Sequence, residues 1–184
     1  MNEDVDPAGA RPDGRQIAIA AWGVLGVTAL LTQAVVRLGA HALVALGSDL
    51  DGVQLTVLVA WVLVSAYSEG YRGFQRQFCP RVVARAFHLG RAGTAAQIAL
   101  APAFCMSFFH ASRRGLMRAW ILLTGIVVLV LLVRQAPQPW RGIIDAGVVL
   151  GLGWGIVVLL LRFVEAARRG APPPSDLPAP LATE

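Results

Sequence analysis

The chain has 184 residues, of which 56% are hydrophobic, and its mean hydropathy of +0.61 exceeds that of ordinary soluble domains, whose apolar share is about 45–50%. Sixteen basic residues against eleven acidic ones give a net charge of +5, but the arginines cluster at the ends of apolar runs and form no solvated basic face with stacking aromatics. This pattern argues against a nucleic-acid-binding domain and indicates an integral membrane protein.

A polar stretch at residues 1–15 is rich in Pro, Gly and Asp and predicts a disordered tail. The apolar run after it predicts a first membrane-spanning helix over residues 17–37, because twenty helical residues cover about 30 Å. A cleaved signal peptide is the alternative, since residues 40–42 read Ala-His-Ala. The apolar run is longer than a typical signal sequence and its leader is acidic, which favours the spanning helix.

A second span is predicted over residues 52–69, and a basic connector at residues 68–91 follows it with five of the sixteen arginines. At 100° per residue, Arg81, Arg85 and His88 fall on one side of a helix and apolar residues take the other. We therefore expect an amphipathic helix in the headgroup layer, with its basic side toward water and lipid phosphate.

Residues 92–112 are long enough to span but are only modestly apolar, and Pro102 interrupts them. If this segment does not cross, thirteen arginines lie on one side of the membrane and three on the other, whereas a crossing segment gives nine against seven. The positive-inside bias favours the first arrangement. Residues 80–112 are therefore predicted to be amphipathic and re-entrant or interfacial, with a break at Pro102.

Two further spans are predicted over residues 116–134 and 143–161, and residues 170–184 read as a disordered Pro-rich tail. The expected fold is an all-α integral membrane protein with four transmembrane helices in a bundle over residues 16–169. The expected location is the cytoplasmic (inner) membrane of a bacterium, with multiple passes and both termini cytoplasmic.

The sharpest motif is a glycine ridge in the fourth span, Gly147, Gly151 and Gly155, which is GxxxG twice over. Without side chains there, another helix backbone approaches closely. The ridge packs either within the monomer, against Gly23 and Gly26 of the first span, or across a homodimer.

The basic connector supplies the candidate binding residues, which we expect to contact anionic lipid or a partner protein. They are Glu69, Arg72, Arg76, Arg81, Arg85 and His88. A structural alternative is an ion-pair network of Glu69, Arg72 and Arg118, since a basic connector is also what membrane insertion alone predicts.

Cys79 and Cys105 form no CxxC pair and are expected to be free thiols. The three histidines show no spacing that converges on a metal or haem, so no metal site and no cofactor are predicted. Catalytic motifs such as HExxH, GxSxG and the P-loop are absent from the sequence, and no catalytic residue is predicted.

The leading functional expectation is therefore a non-enzymatic accessory, assembly or lipid-interacting membrane protein, with membrane lipids, a second copy or another membrane protein as partner. A small oligomeric transporter or channel is an alternative, because interrupted helices mark transport sites. A lipid-modifying enzyme that uses the region of Glu69, Arg72 and His88 is a further alternative.

Overall fold

The computed structural model describes residues 12–109 and 111–170, which are helical and contain no strand. The helices in chain order are α1 (Gly14–Leu46), α2 (Gly52–Ser65), a π-helical segment (Ala66–Phe78), α3 (Cys79–Ala92), α4 (Ala95–Ala99), α5 (Ala101–Cys105), α6 (Arg113–Val133) and α7 (Trp140–Arg169). Residues 1–11 and 171–184 of the predicted tails lie outside the described residues, whereas α1 begins within the first tail and Gly170 of the second caps α7.

Four helices in the described chain are long and apolar enough to cross a membrane, which confirms the expected all-α architecture. They are α1, the continuous helix Gly52–Ala92, Gly115–Val133 of α6, and α7. The second helix runs without a break through α2, the π-helical segment and α3, so it is much longer than the predicted span over residues 52–69.

Capping residues explain where the first two long helices begin. Asp13 precedes α1 and Asp51 precedes α2, and each forms a reciprocal pair of hydrogen bonds with a glutamine three residues later. The Asp51 carboxylate accepts from the Gln54 N–H at 2.7 Å, and the Gln54 side chain accepts from the Asp51 N–H at 3.1 Å. These bonds satisfy backbone donors that have no partner within the helix.

α1 and α7 lie antiparallel along most of their length. His41 of α1 meets Arg141 of α7 at one end of the bundle. Ala20 of α1 and Ala166 of α7 share a core cluster at the other end. The start of α1 and the end of α7 therefore lie at the same end of the bundle.

The long second helix runs parallel to α7. The Trp61 indole N–H donates to the Ile144 carbonyl at 3.0 Å, and further along Phe74 lies against Gly155. The three longest helices thus form the core, and α7 contacts both of the others.

The structure corrects the placement of the predicted amphipathic helix. α3 does not lie on the surface of the bundle, because Val82, Val83, Ala86 and Phe87 are buried in the core with side chains of α1 and α7. The helix continues from the π-helical segment into α3 without a break, so it stays beside α1. A Cβ at Gly90 would lie 2.6 Å from the Gln16 carbonyl oxygen, which shows how closely the two backbones approach.

Residues 93–109 form two short helices and a turn. The break lies at Leu100, two residues before the expected position, because Pro102 suits the first turn of α5. α4 and α5 together cover about 16 Å at the helical rise, which is too short to cross a bilayer. α5 packs against α1, where Gly23 and Gly26 lie under Cys105 and Pro102.

α6 is peripheral to the core. Apart from the half-buried Leu123, its large apolar side chains from Ile121 to Leu132 are exposed. Trp120 makes an edge-to-face contact with Phe108, at 6.0 Å between ring centroids, and an apolar cleft separates α6 from α3 and the turn after α5.

Candidate functional site

The π-helical segment presents residues spaced five apart to α7. Its hydrogen bonds run from i to i+5, as from the Cys79 N–H to the Phe74 carbonyl. Glu69 lies against Gly151, where a Cβ would be 2.8 Å from Glu69 Oε2. Phe74 lies against Gly155, where a Cβ would be 2.5 Å from Phe74 Cδ1. The Cys79 thiol donates to the Gly155 carbonyl at 3.5 Å.

The glycine ridge of α7 therefore packs within the monomer, but against the second helix. At the first glycine of the ridge, a Cβ at Gly147 would lie 2.6 Å from Ser65 Oγ. The expectation that Gly23 and Gly26 of the first span receive the ridge is wrong, because those glycines contact α5. The glycines of α7 thus contact the second helix, whereas those of α1 contact α5.

Glu69 lies opposite the interior of α7 and does not mark the end of a span. Residues 146–161 of α7 carry no charge, and Gly151 lies six residues from Asp145 and eleven from Arg162. These separations correspond to about 9 Å and 16 Å along the helix. The sequence did not reveal that Glu69 faces the uncharged part of α7, because the apolar run of the second predicted span stops at Glu69 itself.

The expected ion pair between Glu69 and Arg72 is not formed, since ion pairs in the described residues involve other partners. The helix type gives the reason. In an α-helix, residues three apart share a face, but with i-to-i+5 hydrogen bonds one turn takes more residues. Arg72 is exposed and turns away from the glycine ridge. The side chain of Arg118 is not described, so the rest of that network stays a prediction.

Arg76 is also exposed, and its guanidinium lies 5.1 Å from the centre of the Tyr71 ring, which is cation–π range. Gln75 accepts a hydrogen bond from the Trp154 indole of α7 at 3.1 Å. The π-helical segment thus has one polar side that is exposed and another side that packs on α7.

Arg81 lies at the edge of the cleft between α6 and the core. Its Nε donates to the Gln77 carbonyl at 2.9 Å, and within residues 12–109 and 111–170 its terminal nitrogens have no protein partner. The cleft is otherwise largely apolar. Its lining includes Phe78, Val82, Met106, Phe108, Leu122 and Ile126.

The structure corrects the expected orientation of Arg85. It is 0% exposed and cannot reach water or lipid phosphate from α3. Its Nε donates to the Phe104 carbonyl at 2.7 Å, and its Nη2 donates to the Phe109 carbonyl at 3.0 Å. Its guanidinium also lies 4.2 Å from the centre of the Phe104 ring. Arg85 therefore fixes the end of α5 to α3 and is a structural residue.

His88 stacks against the same Phe104 ring, with 6.5 Å between the ring centroids and 11° between the planes. Glu69 lies nineteen residues earlier on the same continuous helix, which corresponds to about 28 Å at the α-helical rise. The structure does not bring Glu69 and His88 into one site.

A separate polar cluster lies at the start of α7. Arg141 Nη2 is 2.6 Å from His41 Nε2, and Arg141 Nε is 3.9 Å from the Asp145 carboxylate, which is almost fully buried. Because arginine is always protonated, it donates, and His41 accepts through Nε2 as the neutral ring. This cluster joins α1 to α7.

Cys79 and Cys105 are both buried free thiols, as predicted. Among residues 12–109 and 111–170, no three His, Cys, Asp or Glu side chains lie close enough together to hold a metal ion.

Comparison of the chain with models of protein families, with curated proteins and with solved structures finds no match. A functional assignment therefore depends on the geometry of the chain itself.

Proposed function

We propose that the protein is a non-enzymatic, multi-pass protein of a bacterial cytoplasmic membrane that binds an anionic phospholipid. It would act as an accessory or assembly component, with both termini in the cytoplasm. The observation that carries the proposal is the apolar cleft with Arg81 at its edge.

The lining of the cleft is chemically complementary to a phospholipid. Leu122, Leu123 and Ile126 of α6 face Phe78 and Val82 across it, and such a lining suits an acyl chain. Arg81 supplies a cation with unused donors, which suits a phosphate group. Arg113, Arg114 and Arg118 precede the lining residues of α6 in sequence and add positive charge at the start of that helix.

The proposed orientation follows from charge. Arginines are concentrated at the end of the bundle where α1 starts and α7 ends, and the positive-inside bias assigns that end to the cytoplasm. The antiparallel packing of α1 and α7 supports a placement of both termini on one side. A reporter fused after residue 184 tests it, and activity of a periplasmic reporter there would contradict the proposal.

Lipid binding is tested by native mass spectrometry of the protein purified in mild detergent. We expect retained anionic phospholipid, and a several-fold loss of it in Arg81→Gln. Leu122→Trp fills the cleft and should have the same effect by displacing the acyl chain.

Two variants serve as matched controls. Arg91→Gln removes an exposed arginine at the end of α3, and Ile121→Trp adds bulk to the opposite, exposed side of α6. Both should retain lipid. Equal retention in Arg81→Gln and Arg91→Gln would contradict the proposal, and retention of a co-purifying protein without lipid would favour a protein partner.

The two other functional expectations receive less support from the geometry. A lipid-modifying site built from Glu69 and His88 would need them together, and they contact different helices. Transport stays an alternative, and flux in proteoliposomes tests it.

A further inference from the structure

Two polar side chains interrupt the apolar contact between the second helix and α7. Ser65, the last residue of α2, is 1% exposed, and its Oγ has no hydrogen-bond partner in the part of the chain that the structure describes. One turn further along, the Glu69 carboxylate also faces α7. Buried polar atoms nearly always have a protein or water partner, so an unpartnered hydroxyl beside a carboxylate points to a small polar ligand.

The spacing of the two groups fits one water molecule. Ser65 Oγ faces Gly147 and the Glu69 carboxylate faces Gly151, which are four residues apart on α7. Residues at this spacing lie about 5–6 Å apart, which is the length of two hydrogen bonds end to end. The two glycines have no side chain, so both polar groups reach close to the α7 backbone.

Aromatic contacts close this polar pair at both ends. Toward the start of α7, the Trp61 indole donates to the Ile144 carbonyl at 3.0 Å. Toward the other end, the Phe74 ring covers Gly155. The Glu69 carboxylate is therefore held among apolar and aromatic groups on the side that faces α7.

Among the described side chains of α2 and α7, no opposite charge faces Glu69. α2 has no ionisable residue, and residues 146–161 of α7 have none. Asp145, the nearest acid on α7, lies beside Arg141 and His41. The ionisable groups nearest along the helix itself are Tyr67, Tyr71, Arg72 and Arg76, and both arginines are exposed. A carboxylate in apolar surroundings without a counter-ion is stabilised when it binds a proton.

We propose that Glu69 is a proton-binding site inside the bundle and that a water molecule links its carboxyl group to the Ser65 hydroxyl. The ligand of the site is thus a proton, taken up at a carboxylate oxygen. This activity uses residues that the lipid cleft does not, so the two proposals succeed or fail separately.

The apolar reagent dicyclohexylcarbodiimide tests the proposal, because it reacts with a protonated carboxyl group within a membrane protein. The carboxyl proton moves to a nitrogen of the reagent while the carboxylate oxygen bonds to its central carbon. We expect one adduct per chain at mildly acidic pH, located at Glu69 by peptide mass spectrometry. Labelling should decline as the pH rises.

Glu69→Gln should lose the adduct, whereas Glu165→Gln, which removes an acid at the exposed end of α7, should keep it. Ser65→Ala removes the hydroxyl that stabilises the charged form through water. Its labelling midpoint should move to higher pH by about one unit, which corresponds to about 1.4 kcal/mol. Absence of a Glu69 adduct at every pH would overturn the proton site, and an unchanged midpoint in Ser65→Ala would overturn the water link.

Discussion

A buried guanidinium determines how the segment between α3 and α6 is held. Arg85 donates to the carbonyl of Phe104, at the end of α5, and to that of Phe109, four residues after α5 ends. Between these two carbonyls the chain turns through Ser107, whose φ of 66° is unusual for a residue with a side chain. One side chain thus satisfies acceptors on both sides of the turn.

Arg85→Met should therefore destabilise the protein by about 3 kcal/mol, because buried carbonyls lose charged donors that no neighbour replaces. Thermal unfolding in detergent, followed by circular dichroism, measures the effect. Arg91→Met, at the exposed end of the same helix, should change stability by less than about 0.5 kcal/mol. Equal stability of the two variants would show that the Arg85 contacts are dispensable.

The thiol of Cys105 should be unreactive in the folded protein. Burial raises its pKa to about 12, and the nearby Arg85 charge offsets only part of this shift. Since the thiolate is the reactive form, the neutral thiol should persist well above pH 8 and labelling should increase only as the pH rises. Maleimide labelling at pH 7.5, followed by intact mass, should modify neither Cys105 nor the buried Cys79 within minutes.

Leu100→Cys places a thiol at an exposed position in the same region and provides the control. It should react rapidly under conditions that leave the native cysteines unmodified. Fast labelling of Cys105 without denaturant would mean that α5 opens readily from α1.

At the scale of elements, the contact of α7 with the second helix combines two irregular features. The second helix widens into π-helical turns, and α7 presents glycines at the positions that face it. The wide turns direct Glu69 and Phe74 onto Gly151 and Gly155, and the glycines make room for them. Neither feature packs as observed without the other.

Gly155→Ala should destabilise the bundle by about 2 kcal/mol, because the new Cβ would lie 2.5 Å from the Phe74 ring and force the helices apart. Gly153→Ala is the matched control, since no atom lies within 4 Å of its Cβ position and alanine favours the helix. Thermal unfolding in detergent measures the stability of the two variants. A Gly155→Ala protein as stable as Gly153→Ala would show that this contact is loose.

Apolar periodicity, charge asymmetry and glycine spacing were sufficient to predict four long helices and a close helix contact at Gly147, Gly151 and Gly155. The partner of that contact could not be predicted, because small residues are also present in the first span and spacing alone does not choose between them. Arg85 was misplaced for a similar reason. A helical projection that assumes 100° per residue and a water-facing basic side does not foresee a guanidinium bonded to carbonyls nineteen and twenty-four residues away.

At the scale of the whole molecule, stability is concentrated in three helices. α1, α3 and α7 share the core cluster, whereas α6 exposes most of its apolar surface. A helix of this kind is free to contact lipid or another protein along its length, which agrees with the proposed lipid cleft at its inner side.

Leu159→Ala should cost about 2 kcal/mol or more, because Leu159 is 0% exposed and the cavity has no neighbour to fill it. Leu131→Ala, on the exposed surface of α6, should have little effect on unfolding of the isolated protein in detergent. If Leu131→Ala is the more destabilising change, α6 must pack against something that the isolated chain does not provide, and its oligomeric state should then be measured.

The π-helical segment Ala66–Phe78 also has an evolutionary consequence. A π-turn holds about one residue more than an α-turn, so the loss of a single residue there is absorbed when one wide turn rewinds as an α-turn, and the residues beyond it keep nearly the same orientation. Descendants of a common ancestor that differ by a one-residue gap in this stretch should therefore direct the same side chains of α3 toward α1 and α7. Where such a gap occurs, an arginine aligned with Arg85 should still occupy the same interior position.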